Sequence, residues 1–208
     1  MFTNAPFGAF FLIWYASRMD SKTFLMMGRP GSGKGTQAKL LAKKLGADIY
    51  SSGNRLREMA KGHGFVATKV KDEMAQGGLL PAWFSSHLFV QELLSLEPMD
   101  SVVFEGACRR LEEATSFNEV AEWLERPYTA VFIDISDVEV EKRLSIRKGL
   151  EGRADDASDS VERRIKEYEQ NTTSAVDYFK KLGRSVEING EQTVEEVHAD
   201  ILKALGVH

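Results

Sequence analysis

Short apolar runs alternate along the chain with longer stretches in which apolar residues recur every three or four positions. Each short run has the length and composition of a buried β-strand, and each longer stretch has the period of a helix that buries one face. The predicted strands are residues 24–27, 48–51, 101–105, 130–135 and 185–188. Strands that alternate with helices are typical of a parallel sheet covered on both faces. We therefore predict an α/β fold of three layers, α/β/α, around a five-stranded parallel sheet.

The clearest helical patterns lie in three stretches. The first follows the first predicted strand, and Gly46 comes after it as a stop signal. The second is long, since its buried face continues from Val161 to Phe179 and includes Tyr168 and Thr172. The third occupies residues 194–205, after the last predicted strand.

The composition indicates a single globular domain and excludes several classes of protein. A chain of 208 residues suffices for one domain with a core, and a net charge of -4 argues against nucleic acid as a general partner. The single cysteine, Cys108, excludes a disulfide framework and a cysteine-rich zinc site. Because this cysteine usage fits a reducing compartment, we expect a cytoplasmic protein.

The first 18 residues differ from the rest of the chain. Residues 7–16 form an apolar run about half as long as a membrane span, and no Lys or Arg precedes it as in a signal peptide. Met19 follows directly, so we expect residues 1–18 to be an extension upstream of the true start, with no functional role and no membrane partner. An anchor at a membrane interface is the alternative. The domain itself is expected to occupy residues 19–208.

The strongest functional signal is a glycine-rich loop, GRPGSGKGTQ at residues 28–37, between the first predicted strand and the first predicted helix. Its glycines let successive backbone N–H groups point at one anion, and the helix N-terminus adds partial positive charge. Such a loop usually continues Gly-Lys-Ser or Gly-Lys-Thr, whereas here Gly35 intervenes and the threonine is Thr36. This context predicts a P-loop NTPase-type fold that binds a nucleoside triphosphate. The predicted loop ligands are Gly31, Ser32, Gly33, Lys34, Gly35 and Thr36.

Several further stretches match one family. They are SSGNRLR at residues 51–57, MAQGGLLP at 74–81, FEGACRRLEEA at 104–114, KRLSIR at 142–147 and GRADD at 152–156. Together with the Gly-Lys-Gly-Thr-Gln form of the loop, they resemble the adenylate kinase branch of the nucleoside monophosphate kinases over nearly all of residues 22–208. The resemblance implies a monomeric enzyme that transfers a phosphoryl group reversibly from ATP to a nucleoside monophosphate with Mg²⁺. A GTPase switch is not expected, because the chain contains neither Asp-x-x-Gly nor Asn-Lys-x-Asp.

The resemblance also implies roles for residues on the donor side. Lys34 and its loop would hold the ATP phosphates. Thr36, and Glu105 through water, would hold Mg²⁺. Arg143 would lie over the donor base, which Gln192 would approach mainly through its backbone.

On the acceptor side, the resemblance implies that Arg57 and Arg109 clamp the phosphate of the monophosphate. The rest of the acceptor site would be formed by Ser52, Gly78, Leu79, Leu80, Gly106 and Glu113. Further arginines would gather on the phosphates in transfer, namely Arg147, Arg153 and Arg164, of which the last two also contact the acceptor. With Lys34 and Arg109 they form the predicted catalytic set. Guanidinium groups suit this chemistry because they bind phosphate oxygens in pairs and keep their charge.

Two segments are expected to close over the substrates and exclude water, which would otherwise hydrolyse ATP. The acceptor segment lies at about residues 51–80, and a short lid lies at about residues 147–156, locked by Asp155 and Asp156. The lid lacks the cysteines of the zinc-bearing form found in some family members, so no structural zinc is expected.

The chain departs from the family pattern at four places in the acceptor half of the site. The substituted residues are Asn54 and Ala82, where the family has Asp; Glu105, Ala107 and Cys108, where it has Asp, Phe and Pro; and Glu113, where a glutamine reads adenine. Glu105 keeps a carboxylate, one methylene longer. The loss of the Phe-Pro pair removes the residues that stiffen the acceptor loop, which follows the third predicted strand at residues 106–110. Cys108 is expected to be a packed thiol and not a reactive one.

These departures leave three functions open. The leading one is an AMP kinase, the second is a kinase for GMP, CMP or UMP, and the third is a nucleotide-binding regulatory protein with little turnover. An ionised Glu113 only accepts hydrogen bonds, so it could accept from two adjacent donors of guanine and tilt the enzyme toward GMP or looser specificity. The alternative is that Glu113 turns to solvent or pairs with Arg110, and the backbone alone reads adenine.

Overall fold

Residues 22–151 and 158–207 are described by the structure, a computed structural model, apart from the side chains of residues 147–151 and 158–162. Residues 1–21, which include the expected N-terminal extension, and residues 152–157, which include half of the expected lid, lie outside the described residues. The division into an extension and one kinase domain therefore stays a prediction.

Five parallel strands form one sheet in the described part of the chain. They are β1 Thr23–Gly28, β2 Asp48–Ser51, β3 Val102–Glu105, β4 Tyr128–Asp134 and β5 Ser185–Asn189. Their order across the sheet is β2-β3-β1-β4-β5, and every neighbouring pair is parallel. The predicted fold class is confirmed, and the strand ends differ from the prediction by about one or two residues, as is usual for element boundaries.

Helices connect the strands and cover both faces of the sheet. They are α1 Lys34–Leu45, α2 Ser52–Ala60, α3 Phe65–Ala75, α4 Ala82–Ser95, α5 Leu111–Trp123, α6 Asp137–Glu151, α7 Ser158–Glu167, α8 Thr173–Lys181 and α9 Val194–Ala204. A π-helical turn, Tyr168–Thr172, joins α7 to α8. No helix within the described ranges combines the length and the apolar character that crossing a membrane requires.

The alternation of side chains along β1 divides the core in two. Leu25 and Met27 are buried on the face that α4, α5 and α8 cover. Phe24 and Met26 are buried on the opposite face, which α1 and α9 cover. A strand buried on both faces explains why this segment is continuously apolar.

The long helix predicted over residues 161–179 is interrupted by the π-helical turn. Within it, the N–H of Thr173 bonds to the carbonyl of Tyr168, five residues back instead of four. A run of short polar side chains lies at the end of the turn and just after it, and each of them donates to a main-chain carbonyl. The donors are Asn171, Thr172, Thr173 and Ser174. Such bonds compete with the regular helical pattern.

The π turn also divides the apolar stripe of this helix. Before the turn, Ile165 packs against the small cluster of Ile135 and its neighbours at the end of β4. After the turn, Ala175 and Phe179 enter the core beside α5. The described residues of the predicted face still point inward, since Ile165 and Tyr168 are half-buried and Thr172, Ala175 and Phe179 are buried, but they pack against two different clusters.

The order of the strands places a binding site at the end of β1. Strands β3 and β2 lie on one side of β1, and β4 and β5 lie on the other. In open α/β sheets, ligands bind beyond the carboxyl ends of the strands where the chain order reverses in this way.

Phe117 on α5 joins the aromatic residues of the first core. Its ring centroid lies 5.2 Å from those of Phe104 and Tyr128 and 5.7 Å from that of Phe89. We expect Phe117→Ala to lower the free energy of unfolding by about 3–5 kcal/mol, because it leaves a cavity in a close-packed core. Trp123→Ala on the same helix should change it by less than about 0.5 kcal/mol, since Trp123 is 77% exposed. Equal losses in chemical denaturation would contradict this description of the core.

Candidate active site

A cleft of about 440 Å³ opens at the carboxyl edge of the sheet, within the range of small-molecule sites. Its walls come from the loops after β1 and β3, the start of α2, the loop before α4, α6, α7 and the π turn. The predicted site residues that line it are Gly31, Gly33, Lys34, Gly35, Thr36, Ser52, Arg57, Gly78, Leu79, Leu80, Glu105, Gly106, Arg109, Glu113, Arg143 and Arg164. The fold thus gathers residues from both predicted halves of the site into one cleft.

The glycine-rich loop has the backbone that a phosphate-binding loop needs. Gly28 has a φ of 146°, and a Cβ at this position would lie 2.5 Å from the carbonyl oxygen of Ile133. Gly33, with a φ of 87°, precedes α1 and has no side chain to cap the first N–H groups of that helix. Those groups and the helix dipole form a site for an anion. Across the loop, Lys34 Nζ donates to the carbonyl of Arg29 at 3.1 Å.

Ser32 lies beneath the loop and not in the cleft wall. The residue is 2% exposed, and its Oγ has no hydrogen-bond partner among the described residues. A Cβ on Gly28 would approach this Oγ to 2.7 Å. The predicted contact of Ser32 with a nucleotide therefore concerns its backbone, because its hydroxyl is enclosed by the loop.

Glu105, at the end of β3, is a negative group among the cations of the cleft. Burial alone would raise the pKa of its carboxyl. Lys34, the hydrogen bond from Ser51 Oγ to Oε2 at 2.7 Å, Arg109 and Arg57 outweigh that effect and lower the pKa below the ordinary value. The carboxylate therefore stays ionised and binds the phosphate loop and the acceptor loop electrostatically to each other.

The residues beside Glu105 fit a magnesium ion that is bound together with a phosphate. A Cβ on Gly35 would lie 4.0 Å from Glu105 Oε1, and Thr36 is the next residue. Within the described ranges, no group of three or more His, Cys, Asp and Glu side chains could hold a metal. One carboxylate and one hydroxyl suit Mg²⁺ nonetheless, because this ion is commonly bound through one or two carboxylates and the phosphates of the substrate.

Arg109 is held by the loop that carries it. Its Nε donates to the carbonyl of Gly106 at 3.0 Å, and a Cβ on Gly106 would lie 2.9 Å from Arg109 Nη2. The N–H of Arg109 donates to Glu113 Oε2 at 2.8 Å, and its carbonyl accepts from Thr172 Oγ1 at 3.0 Å. The main chain that carries the predicted phosphate clamp is thus held by Glu113 from α5 and by Thr172 from the π turn.

Asn54 affects the charge of the neighbouring arginine. Its side-chain oxygen accepts a hydrogen bond from Nη2 of Arg57, on the same helix. The aspartate that the family has here would offset the charge of that guanidinium, whereas an amide accepts the bond and carries no charge. Asn54 therefore adds no negative charge beside Arg57.

Glu113 turns inward, so the alternative in which it faces solvent is wrong. The residue is 2% exposed and lines the inner end of the cleft. Burial raises the pKa of its carboxyl, against the N–H and guanidinium of Arg109, the guanidinium of Arg110 and a hydrogen bond with Ser85. Arg110 donates from Nη2 to the carbonyl of Leu79 at 3.4 Å. Oε2 of Glu113 therefore holds the acceptor loop through the N–H of Arg109.

The remaining predicted residues differ in how closely they approach the cleft. Arg143 lines it and donates from Nη2 to the carbonyl of Gly190 at 2.8 Å. Gln192 lies in the same turn but outside the wall, and its Nε2 donates to the carbonyl of Asn189 and to Asp200. This side chain therefore bonds its own turn and α9, and the expected approach of its backbone to a base stays a prediction. Arg147, Arg153, Asp155 and Asp156 lie where no side chain is described.

Among the cleft residues that sequence reasoning did not assign to the site, three polar ones interact with predicted site residues. Ser51 donates to Glu105, Ser85 lies close enough to Glu113 to influence its pKa, and Thr172 donates to the carbonyl of Arg109. A signal existed only for Thr172, which is a polar residue on the predicted apolar face of a helix. The other two depend on contacts between distant parts of the chain.

The fold and the phosphate loop define a P-loop nucleotide-binding protein of the α/β class. The family model described as adenylate kinase matches residues 26–184. The chain is 33% identical over 184 residues to the adenylate kinase of Thermus thermophilus, which covers 88% of this chain and 96% of that protein. It is 30% identical over 185 residues to the adenylate kinase of Leptospira biflexa, which covers 88% and 100%. The chain belongs to the adenylate kinase family, a family of phosphotransferases.

The backbone conformation at Cys108 is incompatible with the proline that the family has at this position. Its φ is 58°, whereas a proline ring fixes φ near -65°. We expect Cys108→Pro to be strongly destabilising, by about 3 kcal/mol or more. Cys108→Gly removes the packed thiol but relieves the left-handed conformation, so it should lose much less stability. Thermal unfolding of both variants measures the difference. A proline variant as stable as the glycine variant would contradict this loop conformation.

Proposed function

We propose that this chain catalyses the reversible, Mg²⁺-dependent transfer of the terminal phosphoryl group of ATP to a nucleoside monophosphate, with AMP as the default acceptor. One observation carries the proposal: the phosphate loop with Lys34 lies on one side of the Glu105 carboxylate, and Arg57 and Arg109 act on the same carboxylate. Two phosphate-binding groups of residues in one cleft suit a reaction that joins two nucleotides.

On the donor side, the N–H groups at the start of α1 and the ammonium of Lys34 bind the ATP phosphates. Arg143 lies against the turn after β5 through its bond to Gly190, which is where the donor base rests in this proposal. The backbone of Gln192 borders the same position. Thr36 and Glu105 would hold Mg²⁺, which would supply neutralisation of the phosphate charge.

On the acceptor side, Arg57 and Arg109 bind the phosphate of the monophosphate in pairs of hydrogen bonds. Arg164 lines the cleft beside them and contacts the group in transfer. Arg147 and Arg153 join it from the lid in this proposal, with Asp155 and Asp156 holding that lid closed over the substrates. The acceptor nucleoside lies against Ser52, the loop of Gly78, Leu79 and Leu80, and Gly106.

AMP is proposed as the acceptor because the similar proteins are named adenylate kinases. Glu113 is the residue that bears on this choice. Its Oε2 accepts from the N–H of Arg109, so accepting two hydrogen bonds from guanine would compete with that contact. The sequence alone suggested that Glu113 favours GMP. The bond between Glu113 and Arg109 weakens that argument and so favours AMP as the acceptor.

The proposal is tested by mixing the purified protein with ATP, Mg²⁺ and each of AMP, GMP, CMP and UMP, and measuring nucleoside diphosphate. We expect product with AMP and a dependence on Lys34, whose ammonium stabilises charge in the transition state. Lys34→Met should lower kcat by more than about tenfold, a change of more than about 1.4 kcal/mol. Lys43→Met, in the exposed last turn of the same helix, is the matched control and should leave kcat unchanged.

The outcomes separate the open alternatives. Product with another monophosphate alone identifies a different acceptor. Nucleotide binding without product identifies the regulatory alternative. A Lys34→Met variant that keeps the wild-type kcat would show that the loop lysine takes no part in the transfer.

Glu113→Gln tests whether this side chain reads the acceptor base. Either side chain accepts from the N–H of Arg109, but only the amide also donates a hydrogen bond. We expect kcat/KM for AMP relative to GMP to rise by about fivefold, the lower end of the discrimination from a paired base contact. Glu112→Gln, the same change at an exposed neighbour, is the control. An unchanged ratio would mean that Glu113 only holds the acceptor loop.

A further inference from the structure

The first and last residues of the π turn between α7 and α8, Tyr168 and Thr172, both line the cleft. Thr172 is 5% exposed and lines the cleft. Thr173 is exposed, and its Oγ1 donates to the carbonyl of Glu169 on its own helix. Both threonine hydroxyls therefore donate to a main-chain carbonyl, but Thr172 is buried and Thr173 is exposed. Only the first of them bonds to another element.

Both main-chain polar groups of Arg109 are bound by side chains. Thr172 Oγ1 donates to its carbonyl at 3.0 Å, and Glu113 Oε2 accepts from its N–H at 2.8 Å. The two side chains come from different helices, the π turn and α5. The direction of the Arg109 main chain is thus fixed by two helices that pack against each other in the core.

The loop that carries Arg109 depends on such contacts. Gly106 has a φ of 76° and Cys108 a φ of 58°, so two of its residues have left-handed conformations. For a residue with a side chain, this conformation is unfavourable and persists only where the surrounding structure imposes it. The hydrogen bonds at Arg109 are the contacts next to Cys108 that can do so.

We propose that Thr172 is a positioning residue, whose bond to the Arg109 carbonyl fixes the direction in which the Arg109 guanidinium enters the cleft. The π turn serves this role because it points the hydroxyl at the neighbouring loop instead of along its own helix. The proposal rests on the proposed function, since the anion that Arg109 meets is the phosphate of the acceptor.

Thr172→Val tests this role because it keeps the shape of the side chain and removes the hydroxyl. We expect kcat/KM for the acceptor to fall by about 3- to 10-fold, the effect of losing one neutral hydrogen bond, mainly through a higher KM. The KM for ATP should not change, since Lys34 and its loop are untouched. Thr172→Ser restores the hydroxyl and should return kcat/KM to within about twofold of the wild-type value.

Thr173→Val is the matched control, because it removes the neighbouring hydroxyl and its bond to Glu169. It should leave both KM values unchanged. A role in stability alone would lower the melting temperature of Thr172→Val without separating the KM of the acceptor from that of ATP. If Thr172→Val is unfolded at the assay temperature, Thr172→Ser and Thr172→Ala replace it, since they differ only in the hydroxyl.

The proposal is overturned if Thr172→Val keeps the wild-type kcat/KM for the acceptor, if the KM for ATP rises equally, or if serine does not restore activity. Failure of the proposed function gives a different result, namely no transfer by the wild-type protein. The same variants are then compared by calorimetric titration with AMP, which needs no turnover. Weaker AMP binding by Thr172→Val alone supports the positioning role, and equal binding or none by the wild-type protein overturns it.

Discussion

Several cationic side chains lie at the carboxyl edge of the sheet, and the carboxylate of Glu105 lies among three of them. Glu105 ends β3, the strand between the one that leads to the phosphate loop and the one that leads to α2. The parallel register sets Ser51 directly beside it, so that the serine hydroxyl donates to the carboxylate. Lys34, Arg57 and Arg109 would repel one another without this charge. The Glu105 carboxylate reduces this repulsion, so the three cations can stay close together where nucleotide phosphates would bind.

The rest of the fold serves to bring these groups to one edge. In a parallel sheet all carboxyl ends meet on the same side, together with the N-termini of the helices that follow. Gly28 and Gly33 let the first loop turn tightly enough for its N–H groups to converge. On the opposite wall, the acceptor loop is held by side chains from α5 and from the π turn. The two walls are therefore built differently, since the phosphate loop depends on the conformation of its own backbone and the acceptor loop on side chains from other elements.

The sequence was sufficient for the local features of this molecule. Strands buried on both faces, the phosphate loop with Lys34, and a helix that stops at Gly46 all depend on residues close together in the chain. The features that it did not predict are tertiary. The inward orientation of Glu113 depends on its bond with the N–H of Arg109. The role of Thr172 depends on its bond to the Arg109 carbonyl, which is far away in sequence. In the same way, a positive φ at Cys108 cannot be read from the residue type.

The most direct measurement follows a radioactive label from the γ-phosphoryl group of ATP in the presence of Mg²⁺ and AMP. A cleft that binds two nucleotides end to end and excludes water should move the label into ADP formed from AMP, with little orthophosphate. Label that accumulates as orthophosphate at the same rate with and without AMP would contradict phosphoryl transfer between nucleotides. It would show instead that the cleft delivers the phosphoryl group to water.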